Sequence, residues 1–156
     1  MEKYLLYIIF FHILSAIIWV GGMIAIRFAV HPSLQNIKDE QIRVARILEI
    51  TSRLFVLVMP FILILLITGL MLASIFGLRG KTDLSIVVHI KESIWLIMTI
   101  NYGFMLYLRY KAQLSYLSND LMNAKKLLSN IAKYLLPINI FLGILALYFG
   151  LILRGF

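Results

Sequence analysis

The sequence predicts an all-α membrane protein, a bundle of four transmembrane helices. Of its 156 residues, 62% are hydrophobic and 14% are charged, whereas about a quarter of the residues in soluble proteins carry a charge. The mean hydropathy is +0.97. Most of the chain belongs to four apolar segments of about 20 residues or more, the length that crosses a bilayer. We therefore expect one transmembrane domain over residues 1–156.

Apolar length and the residues that interrupt it predict where each span lies. Pro32 should end the first span, because proline disrupts a helix interior. In the polar segment that follows, Ile42, Ala45 and Leu48 recur at helical spacing, which predicts an amphipathic interfacial helix in loop 1, alone or continuous with the second span. A second amphipathic helix with a basic face is expected in loop 3. The spans are expected at about residues 4–30, 53–76, 84–110 and 131–153.

The composition also excludes several kinds of chemistry. The chain has no cysteine, which excludes disulfides, thiolate metal sites, covalent c-type haem attachment and thiol-quinone relays. Its net charge of +8 belongs to short loops beside membrane spans, so we expect lipid headgroups as its partners and no nucleic acid.

The distribution of Lys and Arg predicts the orientation of the chain. The loops after the first and third spans, with the adjoining span ends, hold ten of the fifteen Lys and Arg residues. Because cytoplasmic loops carry the excess of positive residues, both termini should lie on the non-cytoplasmic side. We expect the inner membrane of a prokaryote, with the N-terminal segment retained and not cleaved as a signal peptide.

One face of the first span carries an unusual set of side chains. Trp19 and Gly22 on this face are candidate cofactor-binding residues, because a glycine leaves room for a flat macrocycle; close approach of another helix is the alternative. At about 100° per residue, one stripe contains seven residues: His12, Ser15, Trp19, Gly22, Met23, Ile26 and Val30.

Two histidines lie at matched depths in spans that run in the same direction. His12 lies about eight residues inside the first span and His89 about five inside the third, a difference of roughly one helical turn. Two imidazoles at equal depth on different helices can supply both axial ligands of a b-type haem in a bundle interior. Interfacial histidines without a ligand are the alternative.

Polar residues next to His89 are candidates for supporting roles. Glu92 and Ser93 follow His89 by three and four residues and share its face, and a carboxylate there can fix the tautomer of a ligating histidine. Lys91 lies about 200° away on the helix and should reach either a haem propionate or the headgroups. Lys91 and Glu92 are the candidate catalytic residues, with an interfacial ion pair as the alternative.

A third histidine lies at the other end of the first span. His31 is followed by Pro32 and is either a capping or headgroup-contacting residue or a second ligand or proton-handling group beside Arg27 and Arg53. The methionines are scattered and form no Met-x-x-Met pair, which argues against a copper relay.

Three spans resemble those of a known superfamily. The run HILSAIIWVGG followed by RFAVH, within residues 12–31, resembles the first helix of CopD-type copper resistance membrane proteins and HemJ-type protoporphyrinogen oxidases. RL at 53–54, MP at 59–60 and GL at 69–70 are similar to the HemJ-type second helix, and HIK at 89–91 to the start of its third. The last span, NIFLGILALYFG, is more similar to the CopD type.

The resemblance implies an oligomeric four-helix protein that binds haem b and oxidises protoporphyrinogen. By resemblance His12 and Lys91 are the essential pair, and His89 and His31 also occupy motif positions. We therefore expect a haem b protein with His12 and His89 as axial ligands. It would transfer electrons to a redox partner or oxidise a small hydrophobic substrate. A copper-handling or transport protein is the alternative. Whether the chain forms a homodimer or a higher oligomer stays open.

Overall fold

Four long helices make up the computed structural model, which describes residues 2–80 and 83–154. The second helix is Glu40–Ile75 and the third is Asp83–Leu117. The first runs over residues 2–35 and the fourth over residues 121–152. All four are long and apolar enough to cross a membrane, so the chain is an all-α, multi-pass membrane protein, as predicted.

The first and fourth helices change pitch along their length. Three π-helical turns interrupt them, two in the first helix and one in the fourth. The first helix consists of Glu2–Ala16, the π turn Ile17–Gly21, Gly22–Ala25, the π turn Ile26–Val30, and His31–Gln35. The fourth consists of Leu121–Asn130, the π turn Ile131–Leu135, and Leu136–Ile152.

The predicted end of the first helix at Pro32 is wrong, because the helix continues to Gln35. Pro32 comes two residues after the π turn Ile26–Val30, and Pro137 in the fourth helix comes two residues after another. A proline gives no N–H to the carbonyl four residues before it and crowds that carbonyl. The wider i→i+5 turn offers the carbonyl another donor and relieves the crowding, so the helix passes through the proline.

The amphipathic segments predicted in loops 1 and 3 are helical; the first is continuous with the second helix, one of the two arrangements expected, and the second leads directly into the fourth helix. The segment after residue 39 is the start of the second helix, where the Asp39 side chain accepts a hydrogen bond from the Ile42 N–H at 3.0 Å. Leu121–Asn130 continues into the fourth helix through a π turn. Each helix therefore has 32 to 36 residues, about 50 Å, and extends well beyond a hydrocarbon core of about 30 Å.

The helices alternate in direction and form a closed ring. Each packs on its neighbours in sequence, and the fourth packs back on the first. The core contains Trp19, Met23, Phe55, Tyr102 and Met105, while many large apolar side chains face outward. We call the end near residues 2 and 154 and the turn at residues 76–79 the terminal end, and the end with the loops at 36–39 and 118–120 the basic end.

Candidate functional site

His12 lies in the bundle near the terminal end, against the second helix. Its imidazole is half-buried, and its Nδ1 is 2.9 Å from Oγ1 of Thr68. The next residue, Gly69, faces the same ring, because a Cβ there would lie 3.3 Å from Cε1 of His12. Thr68 orients the imidazole and Gly69 leaves room for it.

The hydrogen bonds of Thr68 favour one tautomer of His12. The Thr68 hydroxyl donates to the carbonyl of Ile64 at 2.6 Å. A hydroxyl has one proton, so Oγ1 accepts the N–H of His12 Nδ1. With the Nδ1–H directed at Thr68, Nε2 carries the lone pair, and the backbone carbonyl of Leu65 also lies within hydrogen-bond reach of the imidazole. This is the tautomer of a histidine whose Nε2 binds iron and whose Nδ1–H is held by a supporting acceptor.

Lys91 enters the same end of the bundle from the third helix. It is half-buried and points at the fourth helix, where a Cβ on Gly150 would lie 3.1 Å from Nζ. Its ammonium lies within electrostatic range of His12. Within the part of the chain that the structure describes, no carboxylate forms a salt bridge with Lys91. The site thus combines an imidazole and a cation, with contributions from all four helices.

His89 lies on the outer side of the third helix. Its side chain is 67% exposed, and its Nδ1 is 3.2 Å from Oε2 of Glu92. Glu92 also accepts a hydrogen bond from Arg79 at 2.8 Å. The Ser93 hydroxyl donates to the backbone carbonyl of His89 at 2.9 Å and does not reach its ring. Glu92 and Ser93 are therefore neighbours of His89, as their spacing predicted, and among the described residues none of the three forms a hydrogen bond or ion pair with His12.

The structure does not bring His12 and His89 together. On the third helix the buried stripe contains Val88, Ile94, Met98, Tyr102 and Met105. At helical spacing Lys91 belongs to this stripe and His89 does not. Matched depth predicts that the two histidines can meet, but depth leaves the rotation of each helix about its axis undetermined. The apolar stripe sets that rotation, and it turns Lys91 inward.

Trp19 and Gly22 are packing residues in the middle of the bundle. Trp19 is fully buried and meets Tyr102 edge to face, with ring centroids 6.4 Å apart. A Cβ on Gly22 would lie 2.9 Å from Cδ1 of Leu54, so Gly22 allows the second helix to approach. Trp19 lies about 10 Å along the helix from His12. Neither residue borders the imidazole.

Several polar residues of the interior were not predicted from the sequence. Thr68 lies at the depth of His12, but no sequence motif marks it. Nδ2 of Asn101 donates to Oδ1 of Asn139 at 2.7 Å, and Nδ2 of Asn139 donates to the carbonyl of Met98 at 3.1 Å. The sequence could have indicated the contact between Asn101 and Asn139, because the third and fourth spans each carry an asparagine at similar depth.

The side chains bear on metal binding as well. Among residues 2–80 and 83–154, no group of three or more His, Cys, Asp or Glu side chains could hold a metal ion. His12 alone could bind a metal that a cofactor already holds, because such a metal needs as few as one protein ligand. A bare ion would need several ligands.

Comparison with known proteins gives no assignment. The chain matches no protein-family model, no curated protein and no solved structure.

Proposed function

We propose that this chain is a haem b-binding membrane protein of the CopD/HemJ superfamily, with His12 as an iron ligand. The observation that carries the proposal is the His12–Thr68 hydrogen bond of 2.9 Å. It favours the tautomer in which Nε2 is unprotonated, the state that a haem iron requires of a histidine. The motif residues around His12 support the same assignment.

Lys91 suits an acidic group of the ligand or substrate. An ammonium that is half-buried and has no carboxylate partner among the described residues is stabilised by an incoming anion. A haem propionate or a carboxylate of a porphyrin-like substrate supplies such a group. In this role Lys91 orients the bound molecule through charge, while His12 holds the metal.

The placement of His89 favours oxidation over simple electron transfer. Electron-transfer haems commonly have two protein ligands, whereas catalytic haems with one histidine keep a position open. His89 is exposed on the outer side of the third helix, so it does not supply the second ligand in the same chain. When bound, haem would supply redox chemistry for a small hydrophobic substrate, and protoporphyrinogen oxidation is the reaction that the resemblance names.

Copper handling is the alternative function, and the positions of the methionines do not favour it. Met23, Met98 and Met105 are buried in the apolar core, while Met59 and Met71 face outward. A copper relay needs soft ligands gathered along one path.

We also propose that the basic end is cytoplasmic, because it carries most of the Lys and Arg residues.

The visible spectrum of the protein purified in detergent from haem-replete cells tests the proposal. We expect a Soret band, with sharp α and β bands on reduction. The His12→Ala variant should lose or shift these bands, and the His89→Ala variant, the matched control, should keep them. Colourless wild-type protein would reject haem binding, and loss of the bands in His89→Ala alone would reject His12 as the ligand.

A further inference from the structure

A cleft of about 240 Å³ lies at the basic end, between the first, second and fourth helices. Apolar side chains such as Val30, Ile47 and Leu128 form most of its wall. His31, Arg43 and Lys125 supply polar lining. The cleft lies about 25 Å along the first helix from His12, so it is separate from the site proposed above.

The lining carries an excess of positive charge. Arg43 lies 3.5 Å from Oε1 of Glu40, and Lys125 forms an ion pair with the same oxygen. One carboxylate thus serves two cations, and Arg27 lies within electrostatic range of His31. Arg43 also donates to the carbonyl of Ile37 at 3.2 Å, which fixes its position. An anion that enters the cleft would therefore contact the positively charged side chains of Arg43 and Lys125, whose positions are fixed by other contacts.

Two of the π turns border this cleft. Ile26 and Val30 come from the turn Ile26–Val30, and Ile131 and Ala132 from the turn Ile131–Leu135. π turns are rare and occur frequently at functional sites. Each of the two π turns contributes residues to the wall of the cleft, so both helices shape it where they depart from α-helical pitch.

We propose that this cleft binds an anionic phospholipid, with the phosphate held by Arg43 and Lys125 and an acyl chain against the apolar wall. A cleft with an apolar wall and positively charged side chains beside it fits an amphiphile better than a small free anion, because a small anion would not contact the apolar wall. The surrounding helices face outward with large apolar side chains, so lipid is the neighbouring phase. Lys and Arg near a membrane surface attract acidic headgroups.

Native mass spectrometry of the full chain in detergent tests this site. The chain is titrated with phosphatidylglycerol and, separately, with phosphatidylcholine of the same acyl chains. We expect phosphatidylglycerol to bind at least about tenfold more tightly, and Arg43→Gln/Lys125→Gln to lose about tenfold in affinity. Glu40→Gln should strengthen binding, because it removes the competing carboxylate.

The matched control is Arg46→Gln/Lys126→Gln, which removes the same two charges from neighbouring positions outside the cleft. It should retain the affinity for phosphatidylglycerol. Equal loss in both double variants, or equal affinity for the two lipids, would overturn the proposal. Displacement of the lipid by excess inorganic phosphate would also overturn it, in favour of a free-anion site. Because Ala132→Phe fills the cleft with both cations retained, it should weaken lipid binding while the haem bands stay unchanged.

Discussion

The Nδ1 atom of His12 lies 2.9 Å from Oγ1 of Thr68, on the adjacent helix. The Thr68 hydroxyl donates to the Ile64 carbonyl, so this contact orients the imidazole and favours the tautomer with the proton on Nδ1. The relationship makes Thr68 a positioning residue for His12. Its consequences are measurable without knowledge of the physiological substrate.

Thr68→Val keeps the shape of the side chain and removes the acceptor for His12. We expect haem retention to fall by about 10- to 100-fold, the usual effect of losing such a supporting partner. Haem titration followed by absorbance measures it. Thr51→Val is the matched control, because Thr51 also donates to the carbonyl four residues before it at 2.6 Å but lies at the basic end. Equal haem affinity in the two variants would contradict the role of Thr68.

Gly69→Ala should disturb the imidazole directly. The new Cβ would lie 3.3 Å from Cε1 of His12, so the ring must shift, and the haem bands should move or weaken. Gly103→Ala is the control, because a Cβ there meets nothing within 4 Å. Its spectrum should match wild type, and its thermal stability should rise slightly, since alanine favours a helix by about 1 kcal/mol over glycine. Identical spectra for the two variants would show that Gly69 does not seat the ring.

Gly143→Ala should destabilise the contact between the first and fourth helices. A Cβ there would lie 2.6 Å from Cγ2 of Val20, and such overpacking costs about 1–3 kcal/mol. Thermal unfolding in detergent measures the loss, with Gly21→Ala as control because its Cβ meets nothing within 4 Å. Adding Val20→Ala to Gly143→Ala should recover stability. Failure of that rescue would place the strain elsewhere.

Asn139→Leu should remove the polar contact between the third and fourth helices. Asn139 is fully buried, and it accepts from Asn101 at 2.7 Å. Hydrogen bonds between membrane helices contribute on average about 0.6 kcal/mol, up to about 1.7 kcal/mol, so a fall of that size in unfolding free energy is expected. A double-mutant cycle with Asn101→Leu checks it. Strictly additive effects would mean that the two side chains do not interact.

The sequence predicted the helices better than their contacts. Apolar periodicity located the four spans and the buried face of the first, where Ser15, Trp19 and Met23 are fully buried. Span length and depth do not set how a helix is rotated about its axis. The sequence alone therefore could not decide whether His12 and His89 face each other. Thr68 has no sequence pattern that connects it to a histidine on another helix. The π turns likewise depend on how backbone carbonyls are satisfied around prolines.

Imidazole rescue of the His12→Gly variant tests the central claim most directly. The glycine removes the ligand and leaves a space that free imidazole fills. If His12 binds the iron, the variant should lack the wild-type Soret band and recover it on addition of imidazole, while His89→Gly keeps the band throughout. A His12→Gly variant that retains the wild-type spectrum without imidazole would contradict the account.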